Sequence, residues 1–123
     1  MTHQRLALGV WGEEQAARFL QARGWSIVER NFRCPLGEID IIARSGSQLI
    51  FVEVKTRRTI AFGLPQEAVG QRKQQQLIRT AQWYLKGRKD SRINPRFDVL
   101  AVVQQKDGRA QIEHLANAFS LAD

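Results

Sequence analysis

Gly37-Glu38-Ile39-Asp40-Ile41-Ile42-Ala43 and Phe51-Val52-Glu53-Val54-Lys55-Thr56-Arg57 flank the short turn Ser45-Gly46-Ser47. Both runs are rich in Ile, Val or Phe, residues that suit a pleated, half-buried backbone. Gly46-Ser47 is a Gly-X pair fitted to a two-residue type II′ loop, so the stretch predicts an antiparallel hairpin. With that loop, Ser45 faces Gln48, and counting outward sets Asp40 opposite Glu53 and Glu38 opposite Lys55, all four on one face. Alternation sends Ile39, Ile41, Ala43, Ile50, Val52 and Val54 to the other face, an apolar surface that demands a cover.

Two carboxylates directly across an antiparallel pair lie about 5 Å apart at Cβ, where like charges destabilise unless something positive sits between them. A divalent cation removes that repulsion. Oxygen donors without Cys or His neighbours select a hard ion, Mg²⁺ or Mn²⁺, over zinc. Lys55, two residues beyond Glu53 on the same face, adds an ammonium beside the pair. The competing reading is a solvated sheet face with an ordinary Glu38–Lys55 ion pair of little energetic weight. Against it, Ile42, Leu49 and Phe51 share that face, and a partly covered apolar surface makes unpaired carboxylates costly.

Upstream, a first helix is expected from about Leu8 to Arg23, with Val10 or Trp11, Ala16 or Ala17, Phe19 and Leu20 on its apolar side and Gly24 as its stop. Glu13 and Glu14 fall in its first turns on this reading, where the helix dipole alone accounts for both. Trp25 to Phe32 reads as an edge strand with Ile27, Val28 and Phe32 as its apolar contacts. Asn31 and Arg33 are within reach of a phosphate, Asn31 being better suited to lining a turn. Cys34-Pro35-Leu36-Gly37 turns the chain into the hairpin.

Downstream, Thr59 to Gly70 carries Gly63, Leu64-Pro65 and Gly70 and reads as a loop, with one helical turn at Gln66 to Val69. It is either a passive connector or a segment that closes over substrate. A second helix is predicted over Gln71 to Lys86, burying Leu77, Ile78, Ala81, Tyr84 and Leu85 and exposing Arg72, Lys73, Arg79 and Lys86. Trp83 has the chemistry to stack on a splayed base, but core packing is the expectation. Arg96 to Gln104 is an apolar strand buried on both faces, interrupted by a structural Asp98. Lys106-Asp107-Gly108-Arg109 is a turn, Gln111 to Leu115 a last strand, and His114 a packed or surface histidine.

The chain has 123 residues, one domain's worth, and large enough to bury roughly two-thirds of its unfolded surface. Nineteen Lys and Arg against twelve Asp and Glu leave a net charge of +7, which favours a polyanionic partner such as nucleic acid. The basic residues gather at Arg57-Arg58, Arg72-Lys73, Arg79 and Lys86 to Arg92, on either side of the acidic pair. The single cysteine, Cys34, excludes an internal disulfide and a cysteine-based zinc cluster, and the start carries no secretory apolar core. A reducing cytoplasm is the expected setting, without a membrane.

Gly-Glu-Ile-Asp followed by Phe-Val-Glu-Val-Lys-Thr-Arg resembles the PD-(D/E)xK nuclease core, and specifically the YraN family, which is similar to archaeal Holliday junction resolvases. The likeness extends over Gly9 to Leu20, Gly24 to Asn31, Gly63 to Leu85, Arg96-Phe97-Asp98 and Glu113 to Phe119. It implies an α/β fold with a restriction-endonuclease-like core, a central mixed sheet flanked by helices. It implies a metal site of Asp40 and Glu53 with Lys55 beside it. Glu13 falls where such resolvases place a further acidic ligand, and Lys73 where the family carries a basic residue. Metal-dependent hydrolysis of DNA phosphodiesters, on branched or junction DNA rather than RNA, is the implied activity, and a homodimer the implied assembly. Arg57, Arg58, Arg72 and Lys73 are the expected phosphate contacts. The rival reading is a catalytically silent nucleic-acid-binding module of the same fold.

Overall fold

The turn forms as the Gly-Ser pair requires, with Gly46 at φ 60° and Ser45 paired with Gln48. In the computed structural model, which describes residues 3–58, 69–88 and 95–120, it joins β2 (Gly37–Ser45) to β3 (Gln48–Arg57). With β1 (Ser26–Cys34), β4 (Arg96–Gln104) and β5 (Ala110–Phe119) these make a five-stranded sheet in the order β1-β2-β3-β4-β5. The pairings are antiparallel except between β3 and β4, which run parallel. A parallel pair needs a long crossover, and here the connection runs through α2 (Gln71–Lys86), while α1 (His3–Ala22) precedes β1. The result is the α/β arrangement of a mixed sheet between helices, consistent with a restriction-endonuclease-like core. No helix among the described residues is long and apolar enough to cross a membrane.

Each helix covers one face of the sheet. Ala16, Ala17 and Leu20 of α1 pack on Ile41, Ala43, Ile50, Val52, Val54, Leu100 and Val102. Leu77, Ala81, Tyr84 and Leu85 of α2 pack on Ile42, Leu49, Phe51, Phe97, Val99 and Phe119. β3 and β4 are therefore apolar on both faces, which is why their sequences read as nearly unbroken hydrophobic runs. Helix α1 ends in a Schellman arrangement: Gly24, at φ 86°, gives its N–H to the Gln21 carbonyl at 2.9 Å, and Trp25 gives its N–H to the Leu20 carbonyl at 3.1 Å.

The structure departs from the sequence expectations where strands deviate from ideal pleating. Ile39 belongs to the α2-side core, not to the α1 side with Ile41. Val28 is exposed, thrown outward by a bulge between Ile27 and Glu29. Trp83 is 49% exposed instead of buried, since Tyr84 takes the inward position and meets Phe32 and Phe51 edge-on, and the next residue back turns about 100° away. Helix α1 starts at His3, five residues earlier than the apolar pattern suggests, and Val10 is exposed. Strand β5 runs on to Phe119, beyond the expected Leu115. The segment read as a connector or gate, Thr59 to Gly70, lies outside the described residues except Val69 and Gly70, as do residues 89–92 of the basic run.

Asp98 is fully buried and fully matched. Arg96 reaches its two oxygens from Nε and Nη2 at 2.8 Å each, His114 Nε2 lies 2.6 Å from Oδ2, and the Asn117 N–H donates to Oδ1 at 2.8 Å. The arrangement fills a gap in the β4–β5 ladder, where the register slips between Phe97 and Val99.

One glycine sets the height of α1 above the sheet. A Cβ on Gly12 would stand 1.9 Å from Thr56 Oγ1 and 2.7 Å from Thr56 Cβ, so any side chain there lifts the helix. Gly12→Ala is expected to destabilise the protein by about 1–3 kcal/mol in urea unfolding. Gly9→Ala, with open space at its Cβ, should stabilise by up to about 1 kcal/mol. Equal effects of the two changes would refute the close approach.

Candidate functional site

The ladder between β2 and β3 holds from Ser45–Gln48 to Ile41–Val52 and then stops. Beyond that point the strands fork. Asp40 stands in the fork and its Oδ2 accepts the backbone N–H of Val54 at 2.8 Å, doing what a carbonyl of a continued ladder would have done. The fork removes the expected Glu38–Lys55 pair: Glu38 instead takes the Arg33 guanidinium at 3.1 Å, across β1–β2, where both side chains are exposed.

Glu53 sits between Val52 and Val54, which face α1, so its own side chain points to the α2 side. Its side chain is 8% exposed, and the Lys73 ammonium of α2 lies 3.7 Å from Oε2. No hydrogen-bond donor reaches that buried Oε2 among the described residues. Burial pushes the Glu53 carboxyl up to about 8, helped by a hydrogen bond with the Asp40 carboxyl and by its charge, while Lys73 and Lys55 pull the other way. At 3.7 Å the lysine does not offset the loss of water, so the carboxyl stays raised.

Glu13 approaches Asp40 from the opposite face. It lies one turn before the buried Ala16 and Ala17, brought down by the contact of Gly12 with Thr56. Its carboxyl is raised above the ordinary range by burial first and the Asp40 charge second, with the Asn31 hydrogen bond opposing. Asn31, at φ 55°, turns its amide nitrogen to both Glu13 oxygens at 3.2 Å, since the reverse orientation would set oxygen against carboxylate. The dipole explanation of Glu13 and Glu14 falls away, because α1 has no acidic residue in its first turn. Glu14 pairs with Arg30 at 3.0 Å and Arg18 at 3.3 Å, partly exposed contacts of small weight.

The structure therefore brings Glu13, Asp40 and Glu53 to one fork from α1, β2 and β3, with Lys73 arriving from α2. Lys55 is half-buried and acts on Glu53 as a nearby charge, without an ion pair among the described residues. Arg57 is half-buried, and Arg58 and Arg72 are exposed. Lys73 lies against Glu53, which draws its ammonium toward the fork and not outward to a phosphate. Asn31, Gly12 and Thr56 belong to the site as supports; the Gly12-Glu13 pair is the one local signal of them, a residue without a side chain beside an acid.

Among the described residues no three His, Cys, Asp or Glu side chains form a ready cage. Magnesium asks for less, since it keeps several waters and is commonly held by one or two carboxylates. Asp40 and Glu53 supply oxygen donors only, and the Glu53 Oε2 is a buried acceptor that no hydrogen-bond donor reaches among the described residues. The residues fit a hard divalent ion.

The family model described as "Uncharacterised protein family UPF0102" matches residues 12–102, a span that takes in Glu13, Asp40, Glu53, Lys55 and Lys73. The UPF0102 protein of Syntrophotalea carbinolica is 55% identical over 121 residues, covering 98% of each chain. That of Geobacter sulfurreducens is 46% identical over 121 residues, covering 98% of this chain and 94% of its own. A UPF0102 protein of Geotalea daltonii is 50% identical over 115 residues, 94% and 91% of the two chains. The chain belongs to the UPF0102 family, as the YraN resemblance implied.

A carboxyl raised in the folded state stabilises the protein fully below its unfolded value, near 4.5, and that contribution is lost as pH rises through about 8. Wild-type protein in EDTA should lose on the order of 3 kcal/mol of unfolding free energy between pH 5 and pH 8.5 from this group. Glu53→Gln should be nearly level over that window. Added Mg²⁺ at pH 8.5 should stabilise the wild type and not the variant. Parallel pH profiles for the two proteins in urea unfolding would contradict the burial argument.

Proposed function

We propose that this UPF0102 protein is a divalent-metal-dependent endonuclease that hydrolyses phosphodiester bonds of DNA at the β2–β3 fork. The observation that carries the reading is Glu53: a buried carboxyl, short of a partner on Oε2, beside Asp40 and within reach of Lys73. A fold gains nothing from such a group unless a cation completes it, and perturbed carboxyls in a cluster mark functional sites.

On this reading Asp40 and Glu53 hold Mg²⁺ or Mn²⁺, which when bound supplies Lewis acidity toward a phosphate oxygen and a water of lowered pKa. Asp40 is fixed by Val54 and cannot swing away, so it sets the position of the pair. Glu53 must lose its proton to serve, and Lys73 and Lys55 favour the ionised form. Lys55 then orients the attacking water or neutralises charge growing on the phosphate. Glu13, held by Asn31, completes the acidic wall on the α1 side. Arg57, Arg58 and Arg72 receive flanking phosphates with salt-dependent, sequence-independent affinity. A module that only bound nucleic acid would be weakened by carboxylates facing a polyanion, which argues against the silent alternative. Paired incisions across a junction would call for two copies of the chain.

The test is cleavage of a panel of branched and linear DNA with Mg²⁺ or Mn²⁺. Asp40→Asn, Glu53→Gln and Lys55→Ala should each lower the rate by about 10²-fold or more, and Lys73→Ala by less. Undiminished cleavage by both Asp40→Asn and Lys55→Ala would remove the assignment.

A further inference from the structure

Helix α2 carries an exposed face that neither the core nor the fork explains. Its sixteen residues include four cations, Arg72, Lys73, Arg79 and Lys86, and no acid. Lys73 is taken by Glu53, but Arg72, Arg79 and Lys86 have no acidic partner among the described residues. A helix face shaped only for water commonly mixes signs, as α1 does with Glu14 and Arg18. Arg72, Gln76, Arg79, Trp83 and Lys86 follow one another at alternating steps of four and three, which places them on one stripe. In the middle of the cations stands Trp83, half exposed, with no aromatic or cation–π partner among the described residues.

We infer that this stripe is a track for single-stranded DNA and that Trp83 stacks an unpaired base of the strand cut at the fork; the inference deepens the nuclease reading and rests on it. The charge selects a polyanion and the aromatic selects the form of it. Bases within a duplex are already stacked and offer no free face, whereas a single strand offers one at every nucleotide. The helix also sets the distance. Trp83 lies ten residues beyond Lys73, about 15 Å along the axis at 1.5 Å per residue. A single strand laid along the helix covers that span in a few nucleotides, so the stacked base belongs to the same strand as the phosphate at Glu53. A protein partner would also use an exposed tryptophan, but it has no need of three unmatched cations around it.

The test is fluorescence anisotropy in EDTA, which separates binding from cleavage, with a labelled poly-dT oligonucleotide and a labelled blunt duplex. Trp83→Ala should weaken poly-dT binding by about tenfold and duplex binding by less than about twofold, while Trp83→Phe stays within about threefold of wild type on both. Arg79→Gln should weaken both and flatten the salt dependence. Circular dichroism and melting of each variant check the fold. Trp83→Ala binding poly-dT as wild type does, losing both DNAs equally, or a wild-type affinity indifferent to salt would each overturn the inference. Wild-type protein that cleaves DNA while Trp83→Ala is neutral would sink this inference alone. Failure of wild type to bind either DNA would sink the nuclease reading with it.

Discussion

The hydrogen bond from Val54 N–H to the Asp40 carboxylate is the contact on which the site is built. Where β2 and β3 part, the Val54 amide loses its ladder partner while its side chain remains buried, and an unmet buried N–H costs about 1–3 kcal/mol. Asp40 meets it. In doing so it places a negative charge beside Glu53 and in the field of Glu13, so the residue that closes the fork also makes it acidic. The protein uses the same device at the β4–β5 gap, where Asp98 receives the Asn117 amide. There the carboxylate is matched on both oxygens by Arg96 and flanked by His114. The two carboxyl sites differ: Asp98 has every lone pair answered, whereas Glu53 next to Asp40 has an oxygen left over among the described residues.

Both faces of the sheet contribute to the fork, and the packing of each helix decides how. Helix α1 comes close because Gly12 has no side chain to hold it off Thr56, and Glu13 follows on the next residue. Helix α2 comes close over Gly37, where a Cβ would stand 2.9 Å from Thr80 Oγ1, and the Gln76 amide reaches the Leu36 carbonyl at 3.4 Å. That seating aims Lys73, in the first turn, at Glu53. Two small residues far apart in sequence thus fix the charges on either side of the acidic pair.

Much of this is legible in the sequence, for physical reasons that differ by element. The hairpin follows from the Gly46-Ser47 loop and the apolar demand on each strand, and α2 and β4 keep the boundaries their patterns suggest. Asp40 and Glu53 come into side-chain contact, although the ladder expected to pair them ends one step short, at Ile41 and Val52. What is hidden is everything that depends on departure from ideal pleating. The placing of Ile39 on the other face, the bulge that exposes Val28, and the fork that frees Glu38 for Arg33 have no residue signature that distinguishes them from a regular ladder. Trp83 is misread because an aromatic in an amphipathic helix favours burial on average, and only the seat occupied by Tyr84 decides which of two adjacent rings turns inward. Asn31 gives no warning of its role, since its left-handed backbone would also suit a turn.

The raised affinity of Glu53 for a proton gives the fork a property that neither its acidity nor the chain's excess of positive charge would by itself supply. While the carboxyl holds that proton, the cleft carries less negative charge and repels an approaching phosphate backbone less. On the nuclease reading, Glu53 would have to give up that proton to hold a divalent ion, since the ionised carboxylate would be the ligand. A proton and a metal ion would then be alternatives at that carboxyl, and lower pH would favour the proton. Lys73 holds the balance between the two states. Its ammonium, 3.7 Å away, is too far to keep Glu53 ionised alone, yet near enough to ease the charge that appears when the proton leaves.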